Sequence, residues 1–140
     1  MKICEVTNSR EWNHYVLSSK YSSPTHFFNE ADIHVKVDIN NETYIATFRT
    51  VNFFGARFLL SYGTRMDGGM VPLNNFNYVN ECIKVLMKYF KDKGYDVLNL
   101  TFKEYYMKDY VSEMVKILNN LSIYSVKTVS YTHLTLPTKA

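Results

Sequence analysis

The clearest pattern in the chain is a strict alternation, in which Ile33, Val35, Val37 and Ile39 are separated by Asp32, His34, Lys36 and Asp38. A period of two predicts a strand with one apolar and one wet face, and it places His34 on the solvated side. Asn40-Asn41 supplies turn chemistry, and Thr43 to Val51 returns as a second strand with Tyr44, Ala46 and Phe48 on one face. Asn52 to Gly55 turns again, and Ala56 to Tyr62 reads as a third strand. Short connections between three strands predict an antiparallel meander.

After the meander the period changes to 3.6. Phe76, Val79, Cys82, Ile83, Leu86, Met87 and Phe90 recur at steps of three and four, and Gly94 stands where a helix C-cap belongs. That predicts a helix over Asn75 to Lys93. Ahead of the meander, Ile3 to Val6 reads as a short strand. Asn8, with Glu11 three positions on, opens a helix over Ser9 to Ser19. Its Trp12, Tyr15 and Val16 share one side, and His14 lies on the exposed side. Tyr21-Ser22-Ser23-Pro24 is a loop by composition. Val97 to Phe102 predicts a buried strand, Met107 to Asn119 a further helix, and Leu121 to Val126 the start of another strand. The fold class is therefore α/β, a mixed sheet in which the antiparallel meander is followed by helix, strand, helix, strand.

Composition sharpens this only in places. Hydrophobic residues at 46% with 21% charged are ordinary globular values, which argues against disorder. Twelve Tyr and nine Phe supply large apolar bodies, suited to a groove as well as a core. The net charge of +3 is spread evenly, without the basic stripe that DNA binding requires. Cys4 and Cys82 have neither a CxxC spacing nor a nearby His, so both read as buried reduced thiols and no metal site is expected. No segment has the length and apolarity of a membrane span, and MKICEVTNSR has no apolar leader core. The chain reads as soluble and cytoplasmic.

The last twelve residues, Val129 to Ala140 (VSYTHLTLPTKA), resemble the translation of a sequencing-library adapter read through from a truncated gene. The alternative is a genuine Thr-rich tail able to form an edge strand. On the first reading residues 1–128 form one domain, residues 129–140 are a non-native tail, and the natural protein continues past Thr128.

The candidate chemistry centres on the loop Ser61 to Met70 (SYGTRMDGGM). Its Gly63, Gly68 and Gly69 permit positive φ and close backbone approach to another group. Free amides there, with the start of the following helix, can hold an anion. The loop nevertheless matches neither GxxxxGK[ST] nor GxGxxG, and a plain strand-to-helix turn also accounts for it. Of the four histidines, His26 is the one to test, because it sits in the loop entering the sheet. Glu104, Asp109 and Glu113 read as a solvated helix start. No catalytic residue is assigned.

Trp12, Val16 and Ser18, the entry segment Ser23, His26 and Phe27, the three-stranded meander, the S-Y-G…D-G-G loop and a long helix ending K-x-K-G-Y follow one another in a recognisable order. In this the span from Trp12 to Val126 resembles the first domain of Fem-type acyltransferases, which carry two GNAT-like domains in tandem and include peptidoglycan-bridge aminoacyltransferases of bacteria. The sequence departs from that pattern in three places. No Trp follows the entry segment in Asn29 to Asp32, Lys103-Glu104-Tyr105-Tyr106 stands where a P..Y turn is usual, and the Q/R-x-x-G-x-G/A pyrophosphate pattern is absent.

The resemblance implies a GNAT-like N-terminal half domain on the acceptor side of an acyl- or aminoacyltransferase, inactive alone. It implies no cofactor in this fragment, with acyl-CoA or aminoacyl-tRNA as donor in the full-length protein. The partners it implies are a missing C-terminal GNAT-like domain and a small-molecule or peptidoglycan-precursor acceptor. Tyr62, Arg65, Asp67, Gly68, Gly69 and His26 are the substrate-binding candidates, with Arg65 able to pair with a carboxylate or phosphate. Arg65 is equally well explained as a surface residue. The competing reading is a non-catalytic α/β module that binds protein or glycan.

Overall fold

Asn40 and Asn41 both take positive φ, 45° and 69°, and close a two-residue hairpin between β2 (Ile33–Ile39) and β3 (Glu42–Phe53). Asn tolerates the left-handed region because its short amide bonds locally, and that twist matches the flanking strands. The second hairpin uses Phe54 (φ 50°) and Gly55 (φ 79°) and leads into β4 (Ala56–Leu60). The computed structural model describes residues 1–61, 69–103, 125–128 and 131–135, with side chains for 1–61 and 69–98. The helix expected over Met107 to Asn119 lies outside the described residues.

The antiparallel meander is as the alternation predicts. Val35 faces Ala46 and Val37 faces Tyr44 across β2 and β3, and Val51 faces Phe58 across β3 and β4. Edge strand β1 (Lys2–Glu5) adds antiparallel to β2. Beyond β4 lies β6 (Val97–Lys103), paired parallel through Phe58 with Val97 and Leu60 with Asn99. A parallel neighbour needs a crossover, and α2 (Val79–Asp92) provides it. β8 (Tyr131–Thr135) then pairs antiparallel with both β6 and β7 (Ser125–Thr128), giving the order β1-β2-β3-β4-β6-β8-β7. The fold is mixed α/β.

Register assigns the two faces. Tyr44, Ala46 and Phe48 lie under α2, where Phe48 meets Phe90 edge-on at 5.1 Å, and Cys82, Ile83, Leu86 and Phe90 are buried. The opposite face, with His34 and Lys36, is covered by α1 (Ser9–Ser18), whose Trp12 and Val16 are buried. The sheet is thus a middle layer between helices, which is why Ile45 and Thr47 are as deeply buried as Tyr44 and Ala46.

Four expectations need correction. His34 is 4% exposed, because α1 packs across the face that the alternation marks as wet. Cys82 is buried, but Cys4 is only half-buried, since it sits on an edge strand. α2 begins at Val79 and not at Asn75. A short strand, β5 (Met70–Pro72), pairs with β3 through Tyr44–Pro72 and Ala46–Met70, end to end with β4. Three residues ending in proline carry no periodic signal.

Candidate functional site

The Gly-rich loop leaves through Gly69, and its exit is fixed by residues brought from the other end of the chain. Asn8 Oδ1 accepts from the Glu11 amide at 2.9 Å and starts α1. This sets the phase that turns Trp12 inward, where its Nε1 donates to the His26 carbonyl at 2.7 Å. Two short 3-10 turns follow, Pro24–His26 and Phe28–Glu30. In the first, the Ser23 amide donates to His26 Nδ1 at 3.0 Å. Nδ1 is therefore an acceptor, the ring proton sits on Nε2, and Nε2 donates to the Gly69 carbonyl at 2.9 Å. His26 is fully enclosed and both ring nitrogens are engaged.

That geometry suits holding a backbone more than moving a proton. A general base needs a lone pair aimed at substrate, and here the lone pair faces Ser23. Gly69 takes φ 102°, a region closed to side chains with a Cβ. The strand that follows is held from both sides. Ser19 Oγ donates to the Pro72 carbonyl at 2.7 Å, and Met70 Sδ lies 3.4 Å from Cys82 Sγ.

A second histidine backs the same entry segment. His34 Nε2 donates to the Phe28 carbonyl at 2.7 Å, and its ring stacks on Phe28 with centroids 4.2 Å apart and planes 14° from parallel. Trp12 meets His34 edge-on at 5.2 Å, and Asn13 Oδ1 accepts from the Phe28 amide at 2.9 Å. Burial pushes the His34 imidazole below its ordinary pKa, with the Phe28 carbonyl and Asp32 opposing that shift.

On the other face, Glu42 is buried at the foot of β3. Its Oε1 accepts from Tyr44 Oη and from the Asn77 amide, each at 2.8 Å, and its Oε2 from Asn77 Nδ2 at 2.6 Å. Tyr44 Oη accepts in turn from the Tyr78 amide at 2.9 Å. Burial raises the Tyr44 phenol well above its ordinary pKa, and the hydrogen bond to Glu42 adds to that rise. These contacts occupy the amides of Asn77 and Tyr78 just ahead of α2, which starts at Val79. They also set a carboxylate beside the N-terminal end of α2, where an anion would otherwise be favoured.

Of the residues singled out from the sequence, His26 and Gly69 are thus in direct contact. Tyr62, Arg65, Asp67 and Gly68 lie outside the described residues. His14 is exposed on α1 as expected. A polar cavity of about 410 Å³, lined in part by Asp38, Asn41 and Glu42, lies at the opposite end of β2, and neither His26 nor Gly69 lines it. Among the described residues no three His, Cys, Asp or Glu side chains converge as metal ligands, and no helix is long and apolar enough to cross a membrane. The sequence reading missed His34, Glu42 and Asn77. The only hint was a Glu at the head of a strand whose partner Asn lies 35 residues on.

The chain matches no protein-family model, no curated protein and no solved structure.

Proposed function

We propose that this chain is the acceptor-side half of a GNAT-like acyl- or aminoacyltransferase, inactive without a partner half that supplies the donor. The observation that carries the reading is the hydrogen bond from His26 to Gly69. It joins the Ser23–His26–Phe27 entry segment to the D-G-G end of the loop, two of the motif pieces on which the resemblance rests. The mixed sheet, with its meander and helical crossover to a parallel strand, agrees with the architecture that resemblance implies.

In this reading an acceptor amine attacks an activated acyl carbonyl, and backbone amides stabilise the oxyanion. Tyr62, Arg65, Asp67 and Gly68 are the residues assigned to bind the acceptor, with Gly69 held by His26 as a positioning residue. The carboxylate of Glu42 beside the start of α2 fits a half that holds no donor phosphate. The acceptor is a small molecule or a peptidoglycan precursor, and the setting is the cytoplasm.

Calorimetry with acetyl-CoA is the direct test. The expected result is no binding by this chain, with transfer restored in a longer gene product that carries a second α/β half. Stoichiometric binding by the chain alone would overturn the reading in favour of a self-sufficient single-domain enzyme. A non-catalytic protein- or glycan-binding module is the second reading. It is favoured by Phe53 and Phe54 at the β3–β4 hairpin, which are 59% and 94% exposed.

A further inference from the structure

β1 ends the sheet, and among the described residues it pairs with β2 alone. The Val6 amide donates to the His34 carbonyl at 2.8 Å, one step beyond the pairing of Glu5 with Val35. In an antiparallel ladder the inward backbone groups recur at every second residue. Lys2, Cys4 and Val6 therefore turn theirs toward β2, while Ile3 and Glu5 turn theirs to the open edge. Such an edge is a template for another strand. Beside it, between β1 and α2, runs a groove of about 310 Å³ with half-buried Ile3, Val85 and Tyr89, and with Lys88 and Asp92 at its rim.

We propose that this edge and groove bind a second copy of the chain, as a two-fold dimer whose axis stands perpendicular to the sheet at Cys4. Such an axis keeps equivalent faces of both copies on one side, so only residues of like parity can oppose each other. Ile3 then pairs with the partner's Glu5, and Glu5 with the partner's Ile3. Both pairs use the outward backbone groups, for about four new ladder hydrogen bonds. Cys4 meets its own copy at the non-hydrogen-bonded position between them, with Cβ atoms roughly 5 Å apart.

Charge selects a second copy over an unrelated peptide. The Glu5 carboxylate accepts from Tyr89 Oη at 2.7 Å and from Lys93 Nζ at 2.9 Å, which fixes the turn Tyr89 to Lys93 as the part of α2 beside the axis. The dyad-related α2 runs antiparallel to it. Lys88 and Asp92, whose side chains are 82% and 64% exposed, pair with each other at 3.4 Å along this end of the helix. Each is thereby brought opposite the other's counterpart, Lys88 to the partner's Asp92 and Asp92 to the partner's Lys88.

Sedimentation and disulfide trapping of the tag-free full chain test the proposal. A dimer is expected at tens of micromolar, roughly the strength of a modest interface. Under copper-phenanthroline two Cys4 thiols give up two protons and two electrons to the oxidant and form one cross-chain disulfide. Cys4→Ser should abolish that band and leave the non-covalent dimer. Ile3→Pro removes an outward amide and no inward bond, so dimerisation should weaken by about tenfold or more while the chain stays folded. Lys88→Asp and Asp92→Lys should each weaken the dimer, and the double swap should restore it. A monomer at roughly 200 μM, or a dimer indifferent to Ile3→Pro and to both charge changes, would overturn the proposal.

Discussion

Phe28 lies flat on the His34 imidazole while its own carbonyl accepts the His34 Nε2 proton at 2.7 Å, so one residue contacts the ring both by stacking and by hydrogen bond. Trp12 closes a third side. An imidazole enclosed in this way is held neutral, because burial disfavours the charged form more than the Phe28 carbonyl and Asp32 favour it.

The pH consequence follows from that direction. The folded-state pKa lies below the unfolded value of about 6.5, so the unfolded chain binds more protons in the interval between them. The contribution of His34 to stability is complete above about pH 6.5 and is lost as pH falls through the lower folded value. Melting temperature should therefore drop between pH 7 and pH 5. In His34→Gln that part of the drop should vanish, although the variant starts less stable. An unchanged pH slope would remove His34 from the account.

How far the fold could be read from the sequence turns on the range of each signal. Val35 and Val37 on β2, and Ile83 and Leu86 on α2, repeat at the period of their own element, and each faces the core as read. His34 obeys the same alternation yet is buried, because what covers it is Trp12 of a different element. Phe76 fits the helical period, yet α2 starts only at Val79, and the segment ahead of it is tied to Glu42 and Tyr44 on a strand. His26 and Gly69 each carry a signal in the sequence, but their contact across 43 residues has no local trace.

Glu42 should prove the most sensitive polar position on the α2 face. Glu42→Ala strips acceptors from Tyr44 Oη, the Asn77 amide and Asn77 Nδ2 together, so a loss on the order of 3 kcal/mol is expected by urea unfolding. Glu42→Gln keeps one oxygen and can pair with a flipped Asn77 amide, so it should cost roughly 1 kcal/mol. Equal losses in the two variants would mean that charge, and not acceptor number, holds the segment.

The phase of α2 gives a direct contrast. Ile83 and Leu86 are 1% and 0% exposed, and truncating either to Ala should cost about 2–5 kcal/mol. Lys84→Ala and Lys88→Ala should leave the monomer's unfolding midpoint nearly unchanged, since both side chains are exposed. Similar effects at all four positions would place the helix in the wrong rotation over Phe48.

The last prediction concerns residues 129–140, whose strand β8 lies between β6 and β7. β8 pairs with β6 on one side and with β7 on the other, Leu134 lying opposite Leu100 and Val126, so successive residues supply ladder hydrogen bonds to alternate sides. Each such bond is worth only about 0.5–1.5 kcal/mol net of the water it replaces. Fixing each residue's backbone costs about 1–2 kcal/mol, so a strand held by its ladder alone comes close to breaking even. An adapter-derived segment, never selected to pack, should offer little beyond that ladder. Deletion after Thr128 should therefore shift stability by less than roughly 2 kcal/mol, as read by paired urea melts of the two lengths. A larger loss would show that side chains of Tyr131–Thr135 are packed as native core, and the adapter reading would fall.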